Sequence, residues 1–497
     1  MNASHPSVSR RTFLKTSAGL AAGALVATHA TPELLAAGAT SGPHQATGTR
    51  IGEITSDSVI VWTRLTAAPI RNGTGEDFFV NIRQVSAEQL PKPSGPVDTL
   101  RGACPGAAGR VRLRYGTRED LTDALATPFV EVGAGTDFTH RFVLRGLRPG
   151  TRYFYVSESS RPGDAEPAGV VRGRFETAPA PDAAADVNFC VMTCQGYPDR
   201  GHPDGHHIYP SMLALQPQFT CLTGDLVYYD NDAPRAFTTR LARYHWERMF
   251  SLPRLLEFNR QMGTYWLKDD HDSLDDDAWP GKQMGDFTFA EGLQIFREQA
   301  PLGGGPSYRT FQWGRHLQIW LTEGRDFRST NTIPDGPNKT IWGAEQKAWF
   351  KRTVAASTAT WKILISPTPF VGPDRPTGKN DNHANAGFQH EGDELRAWFK
   401  ANVPNNFFVI CGDRHWQYHS VHPETGLNEF SVGSASDEHA AGSPGEDKRY
   451  HKFHLVKGGF LSASVKSHGA TSSIECRLHD VHGAVVYSWQ RERNVRA

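Results

Sequence analysis

The stretch that decides the fold is Val187-Asn188-Phe189-Cys190-Val191-Met192-Thr193-Cys194-Gln195. Its first six residues form an apolar run with β-branched and aromatic side chains, which predicts a buried strand. The run ends in a short polar segment that contains Cys194. This order of apolar strand, polar loop and helix repeats along the chain and predicts an α/β layered domain over residues 187–490.

The downstream strands repeat the pattern of an apolar run with a polar end. The predicted strands are Phe219–Thr223, 264–267, Leu317–Leu321, Trp361–Ser366 and 406–411, with final antiparallel strands near 459–464 and 484–489. Helices are predicted between them, over 235–249 and Gly343–Ala356. Loop residues that follow the carboxyl ends of parallel strands meet at one edge of a sheet, so these polar ends are expected to converge.

The residues before this region read as all-β. Residues 58–63 and 110–115 have the composition or alternation of half-buried strands, and Leu147-Arg148-Pro149-Gly150 resembles the turn of a late hairpin in fibronectin type III domains. A Pro/Ala linker at 177–185 marks the boundary. We therefore predict an N-terminal all-β domain of fibronectin III or Ig type at 45–178, acting as a scaffold or lid.

The N-terminus carries an export signal. Ser9-Arg10-Arg11-Thr12-Phe13-Leu14-Lys15 matches the twin-arginine motif, and a weakly apolar run at 18–27 follows it. That run is too short and too rich in Gly and Ala for a stable membrane span. Residues 1–40 are therefore predicted to be a signal peptide that is read by the twin-arginine (Tat) export machinery. The mature protein is expected to be periplasmic or secreted, without stable membrane insertion.

Composition excludes some partners. The 497 residues include 53 Lys plus Arg and 53 Asp plus Glu, so the net charge of zero gives no reason to expect nucleic-acid-specific binding. The six cysteines form no dense disulfide framework, although a Cys104–Cys476 bridge is left open. No Gly-x-Ser-x-Gly elbow or P-loop occurs, which disfavours a serine hydrolase and a nucleotide-binding fold.

The combination of strand-end motifs is specific. In chain order these are Cys194-Gln195, Gly224-Asp225-x-x-Tyr228, Asp269-Asp270-His271-Asp272 and Gly412-Asp413-x-His415. On these motifs the chain resembles the PhoD-like alkaline phosphatases of the calcineurin-like metallophosphatase superfamily. The resemblance implies a four-layer αββα sandwich preceded by the β-domain, with an iron ion and one or two calcium ions. It also implies hydrolysis of small phosphoesters by attack of a metal-bound hydroxide.

The resemblance implies a role for each motif residue. Metal ligands are Cys194, Tyr228 and His415 on iron, Asp225 bridging iron and calcium, and Asp270 and Asp413 on calcium. His271 would contact the phosphate or the leaving group. The chemistry agrees, since thiolate, phenolate and imidazole suit Fe(III), whereas carboxylates suit Ca²⁺.

Three further residues are candidates for substrate contact. Arg325 resembles the arginine of the family's Asp-x-Arg segment and could clamp two phosphate oxygens as a catalytic, substrate-binding group. Arg328 is a weaker candidate for the same role. His383 lies where the superfamily places another histidine, but the sequence Asp381-Asn382-His383-Ala384-Asn385 departs from the PhoD-like pattern, so it is a candidate ligand or substrate contact.

Alternative readings remain open at this point. The same site could serve a phosphodiesterase of phospholipase D type, the fold could persist in a non-catalytic binding protein, or a zinc pair could replace iron and calcium. The complete motif set opposes the binding protein, and Cys194 with Tyr228 opposes zinc. No chemical role is predicted for two further polar segments. We interpret His202, His206 and His207 as solvated loop histidines and Asp275-Asp276-Asp277 as a solvated acidic loop.

Overall fold

The computed structural model describes residues 42–79, 89, 91–375 and 381–495. The predicted signal segment at 1–40 lies outside these residues. In the part of the chain that is described, no helix is both long and apolar enough to cross a membrane.

Short helices alternate with strands through the middle of the chain. The helices are α1 Ile208–Ala214, α2 Thr239–Phe250, α3 Pro253–Asn259, α4 Phe289–Gln299, α5 Gly343–Ala356 and α6 Gln389–Asn402. The first strands are β1 Thr49–Gly52, β2 Ser58–Arg64, β3 Gly109–Gly116, β4 Leu125–Ala126, β5 Val130–Val132, β6 Thr139–Arg145, β7 Arg152–Ser160 and β8 Gly169–Glu176. The middle strands are β9 Val187–Met192, β10 Phe219–Thr223, β11 Gly263–Leu267, β12 Gln283–Met284, β13 Phe287–Thr288, β14 Arg309–Trp313, β15 Leu317–Leu321 and β16 Trp361–Ser366. The last strands are β17 Phe407–Cys411, β18 Gln417–Val421, β19 Asn428–Val432, β20 His451–Leu455, β21 Phe460–His468, β22 Thr471–His479 and β23 Val485–Asn494.

Two large sheets dominate the described structure. A nine-stranded sheet has the order β23-β22-β21-β9-β10-β11-β1-β2-β6, and a seven-stranded sheet has the order β14-β15-β16-β17-β19-β18-β20. Strands β9, β10 and β11 run parallel, as do β15, β16 and β17. Their carboxyl ends therefore lie at common edges, as the sequence predicted.

Alternating side chains place the two sheets face to face. In β9, Phe189 and Val191 join the core between the sheets, whereas Cys190 and Met192 face the core that α1 to α4 cover. In β16, Ile363 points to the inter-sheet core and Leu364 faces the core beneath α5 and α6. Successive strand residues point to opposite faces of a sheet, so a strand that is apolar on both faces must be covered twice. The layers are helix, sheet, sheet and helix, which confirms the predicted αββα sandwich.

The N-terminal β region is divided between two sheets. Strands β3, β4, β5, β7 and β8 form a separate five-stranded sheet, but β1, β2 and β6 extend the nine-stranded sheet. Strand β1 pairs in parallel with β11, and the buried Arg50 guanidinium lies 4.0 Å from the Trp62 ring and 4.2 Å from the Phe250 ring. The sequence predicted the β content of 45–178, but it did not predict that three of the strands join the nine-stranded sheet. Periodicity identifies a strand without identifying its partner.

All six cysteines are buried free thiols, so Cys104 and Cys476 do not form the bridge that the sequence left open. Burial raises the pKa of the Cys190 thiol, as expected for an inert core residue.

The inter-sheet core depends on aromatic contacts between the two sheets. Phe219 of β10 stacks on Phe189 at 4.9 Å and on Trp313 of the opposite sheet at 4.6 Å between ring centroids. We expect Phe219→Ala to lower the free energy of unfolding by about 3–5 kcal/mol, because it leaves a cavity between two rigid sheets. Denaturant unfolding measures this, with the exposed Val143→Ala in β6 as a control that changes stability by less than about 0.5 kcal/mol. Similar losses for the two variants would contradict this account of the core.

Candidate metal centre

The polar strand ends do converge. Cys194 follows β9, Asp225 follows β10, Asp270 follows β11 and Asp413 follows β17. An isolated parallel bridge between Thr193 and Ser434 connects the end of β9 to the segment that follows β19, so the two sheets meet at this edge.

The backbone at these ends is held in an unusual conformation. Cys194, Asp225 and Asp413 have φ values of 51°, 55° and 63°, in the left-handed region. For a residue with a side chain this conformation costs about 1–3 kcal/mol and is common at functional sites. Its occurrence at three converging strand ends indicates that the fold holds these side chains in place against a local backbone preference.

Two glycines allow the strand ends to approach one another. A Cβ at Gly412 would lie 2.5 Å from Thr223 Oγ1 and 2.7 Å from Thr193 Oγ1. A Cβ at Gly224, whose φ is 101°, would lie 2.6 Å from the Asp269 backbone nitrogen. The glycine of each Gly-Asp motif is therefore needed for steric reasons, independently of the chemistry of the aspartate that follows it.

One group of donor atoms combines sulfur, oxygen and nitrogen. Ligand atoms of Cys194, Asp225 and His415 all lie within 4.8 Å of one another. Cys194 Sγ is 3.3 Å from Asp225 Oδ2, and Tyr228 Oη is 3.4 Å from Asp225 Oδ2 and 3.4 Å from His415 Nε2. This donor set fits a trivalent iron, which accepts thiolate, phenolate, imidazole and carboxylate ligands.

A second group is rich in carboxylates. Ligand atoms of Asp225, Asp269 and Asp413 lie within 4.8 Å of one another, and so do those of Asp225, Asp270 and His271. Oxygen donors of this kind fit a hard divalent cation such as Ca²⁺. Asp225 belongs to every one of these groups, which is the position expected of a bridging carboxylate.

The electrostatics of this cluster call for a cation. Burial and then the Asp225 charge raise the pKa of the Cys194 thiol, and burial followed by the Asp270 charge raises the pKa of Asp225. Burial and the neighbouring Cys194 and Asp225 raise the pKa of Tyr228. Asp225 Oδ1 and Asp269 Oδ2 are buried and accept no hydrogen bond from the described residues. Buried oxygens without a donor are costly, and a metal ion would satisfy them.

His271 and Arg325 both lie at this cluster. His271 Nδ1 is 2.7 Å from Asp230 Oδ1; although burial disfavours the charged ring, the carboxylates of Asp230, Asp270 and Asp225 raise the pKa of His271. Arg325 is buried, with Nε 2.5 Å from Asp269 Oδ1 and Nη2 3.5 Å from Asp270 Oδ1. Arg325 Nη2 makes no hydrogen bond within the described residues, so it retains a donor beside the carboxylate group.

Arg328 is buried as well, and its charge interacts with that of Arg325. Its Nη2 donates to Asn331 Oδ1 at 2.6 Å, and its guanidinium carbon lies 4.6 Å from the centre of the Phe388 ring. Burial, and then the charge of Arg325, lower the pKa of Arg328 to about 10.

His383 has different surroundings. Its Nε2 lies 3.0 Å from Glu391 Oε2, and its ring stacks on Phe370 with 4.3 Å between centroids. His383 is fully buried in the layer beneath α5 and α6. Its Nδ1 is buried and has no hydrogen-bond partner among the described residues. The contact of His383 with metal or substrate stays a prediction.

The structure also bears on the two polar loops that the sequence predicted to be solvated. His206 is fully buried, with Nε2 3.1 Å from the Gly196 carbonyl oxygen, so the prediction of a solvated loop histidine is wrong because its loop packs on the protein. Asp276 is exposed as predicted, but ligand atoms of Asp270, Asp276 and Asp277 lie within 4.8 Å of one another.

Sequence reasoning missed several residues that contact the cluster. Asp230 supports His271, and Arg414 forms ion pairs with Asp413, with Asp381 at 3.1 Å and with Asp374 at 3.3 Å. His439 contacts Tyr228 from the loop after β19. The strand-end rule could have flagged His439, and Arg414 occupies the variable position of Gly-Asp-x-His, but Asp230 carries no local signal.

Three family models match this chain. The family model described as PhoD-like phosphatase matches residues 189–472, and the model of that family's N-terminal domain matches residues 30–179. A twin-arginine translocation signal model matches residues 7–27. No curated protein sequence matches significantly.

Two solved structures share the overall fold. The structure titled "Structure of PhoD" is similar over 92% of this chain and 91% of that chain, with 18% identity and a TM-score of 0.69. Purple acid phosphatase PPD1 from yellow lupin (Lupinus luteus) seeds is similar over 91% of this chain and 75% of that chain, with 12% identity and a TM-score of 0.59.

The buried acids predict how stability depends on metal and pH. Mainly through burial, the pKa of Asp269 and the pKa of Asp272 are each raised to about 8. The pKa of an aspartate in an unfolded chain is about 3.9. Between these values the metal-free native state binds more protons than the unfolded state, so its free energy of unfolding falls as pH rises. We expect the melting temperature of chelator-treated protein to fall between about pH 5 and about pH 8. The melting temperature of metal-loaded protein should fall less over the same pH range. Parallel melting-temperature curves for the two forms would contradict this electrostatic account.

Proposed function

Because this chain belongs to the PhoD-like phosphatase family and carries a twin-arginine signal, it is an exported phosphoesterase, and we propose that it hydrolyses phosphomonoesters at an iron–calcium centre. The observation that carries the proposal is the shared position of Asp225. Its carboxylate belongs both to the sulfur-containing group with Cys194 and to the carboxylate groups with Asp269, Asp270 and Asp413. Two adjoining groups with one common carboxylate would hold two metal ions side by side, as in two-metal phosphoesterases.

The donor chemistry assigns a metal to each group. Iron would be held by Cys194, Asp225, Tyr228 and His415, and calcium by Asp225, Asp270 and Asp413. When bound, the metal pair supplies positive charge for the phosphoryl oxygens and activates water as the nucleophile. The protein's contribution is to fix these side chains through strained backbone and close strand contacts.

His271 is proposed to act on the phosphate or the leaving group. Asp230 lies 2.7 Å from Nδ1, which orients the ring and stabilises its charged form. A ring held in this way leaves Nε2 to donate to an ester oxygen, where it would assist departure of the alcohol.

Arg325 is proposed to bind the substrate phosphate. The Asp269 carboxylate fixes one side of the guanidinium. Nη2 lies 3.5 Å from Asp270 Oδ1 and donates no hydrogen bond to the described residues. A planar guanidinium fixed on one side presents its remaining donors to phosphate oxygens without further loss of side-chain freedom.

Metal analysis together with activity tests the proposed centre. We expect mature protein purified without chelator to contain stoichiometric iron, to show a visible charge-transfer band and to hydrolyse a monoester faster than a diester. Calcium chelation should abolish turnover. Faster hydrolysis of the diester would identify the enzyme as a phosphodiesterase instead. Stoichiometric zinc without iron would overturn the assignment of Cys194 and Tyr228 as iron ligands.

Cys194→Ser gives the residue-level test of the iron site. We expect loss of the charge-transfer band and of most bound iron, because a hydroxyl is a poor replacement for a thiolate ligand. Cys476→Ser is the matched control, since Cys476 is a buried thiol of β22 outside the metal-ligand groups, and it should retain iron. Equal iron content in the two variants would contradict the proposal.

Arg325→Lys tests the phosphate contact. Lysine keeps the charge but loses the planar fork, so we expect kcat to fall by about 100-fold, the loss typical for removal of one transition-state donor. Arg64→Lys is the control, because Arg64 is also buried and pairs with Asp137 and Glu247. That variant should lose stability while keeping kcat, whereas an unchanged kcat in Arg325→Lys would remove Arg325 from the site.

A further inference from the structure

The phenol of Tyr228 has a contact that the ligand set does not explain. His439 Nε2 lies 2.9 Å from Tyr228 Oη, and the rings of His439 and His415 lie 4.3 Å apart between centroids. Among the described residues, His439 is not part of any group of metal-ligand atoms within 4.8 Å of one another, whereas His415 is. His439 therefore contacts a proposed iron ligand without belonging to the ligand set.

The opposite nitrogen of His439 faces a carboxylate. Asp199 Oδ2 accepts a hydrogen bond from Nδ1 at 2.8 Å. His439 and Asp199 are buried, with exposed fractions of 2% and 6%. With a carboxylate at Nδ1, the ring can carry a hydrogen on each nitrogen and donate from Nε2 to a phenolate oxygen.

The fold brings this pair to Tyr228 by several independent contacts. The Ala435 backbone N–H donates to the Cys194 carbonyl oxygen at 3.1 Å, which ties the loop carrying His439 to the loop carrying a proposed iron ligand. Gly196 provides the space, because a Cβ there would lie 3.0 Å from His439 Nδ1 and 3.2 Å from Asp199 Oδ2. Two residues 240 positions apart in the chain thus form a pair, and the histidine of that pair contacts the phenolic oxygen.

We propose that His439 and Asp199 form a positioning pair that orients the Tyr228 phenolate and stabilises its negative charge through the Nε2–H hydrogen bond. The inference rests on the proposed iron centre and deepens it, since it names residues outside the ligand set that set the donor strength of one ligand. A carboxylate–histidine pair behind a metal ligand commonly changes metal affinity or activity by about 10–100-fold.

The charge-transfer band of the iron protein provides the test. Loss of the hydrogen bond raises the energy of the phenolate electrons, so the transition to iron requires less energy. We expect His439→Phe to move the band to longer wavelength and to weaken iron binding by about 10–100-fold. His439→Gln, which keeps a side-chain N–H donor, should partly restore the band position, and Asp199→Asn should give a smaller shift in the same direction.

Controls separate the possible outcomes. His419→Phe replaces a buried histidine that bonds to Asn428 and Tyr487, and it should leave the band unchanged. If the parent protein shows the band and His439→Phe does not shift it, the positioning pair is overturned while the iron centre stands. If His439→Phe misfolds, an unshifted band in Asp199→Asn has the same meaning. Loss of all iron in His439→Phe, His439→Gln and Asp199→Asn alike would make His439 a ligand and would also overturn it. A parent protein without iron or a band would overturn both this inference and the proposed centre.

Discussion

Repulsion among buried acidic groups is the constraint on which the rest of this structure depends. Asp225, Asp269 and Asp270 lie together at the strand ends, where burial weakens the screening of their charges by solvent. Side-chain cations at the edge offset part of the charge, since Arg325 pairs with Asp269 and Arg414 with Asp413. The centre of the cluster, with Cys194, Asp225 and Tyr228, is left for a metal ion to neutralise.

The packing of the sheets keeps these groups from moving apart. Strands with two apolar faces are held between an inter-sheet core and a helix-covered core, so their carboxyl ends have little freedom. Glycines at 224 and 412 let neighbouring strand ends approach within contact distance, and left-handed backbone at Cys194 and Asp225 directs their side chains into the cluster. The free energy of the cores thus maintains local strain and charge repulsion that no isolated loop would tolerate.

Carboxylate–histidine pairs form a second layer around the centre. His271 is held by Asp230, and His439 by Asp199, and each pair reaches the cluster from a different segment of the chain. Both rings lie beside the Tyr228 ring, at 4.4 Å for His271 and 5.0 Å for His439 between centroids. They differ in their polar contacts, because His271 belongs to the group with Asp225 and Asp270, whereas His439 Nε2 faces the Tyr228 phenol oxygen. Supporting residues of this kind fix the orientation of groups whose identity alone would not determine their chemistry.

Much of this architecture could be predicted from the sequence. Apolar runs such as Val187–Met192 and Trp361–Ser366 are strands with those bounds, and their alternation with helices predicted an α/β layered domain. The four-layer αββα arrangement was implied only by the resemblance to PhoD-like phosphatases, and the structure confirms it. The motif residues from Cys194 to His415 converge as the strand-end rule predicts, because parallel strands present their carboxyl ends at a common edge.

Other features were decided only by the tertiary structure. The extension of the catalytic sheet by β1, β2 and β6, the burial of His206 and the approach of His439 to Tyr228 each depend on contacts between distant segments. Sequence periodicity reports which face of an element is apolar, so it determined the strands and their polar ends. It carries no information about which distant loop packs against those ends, because that choice is made by the shape of the folded core.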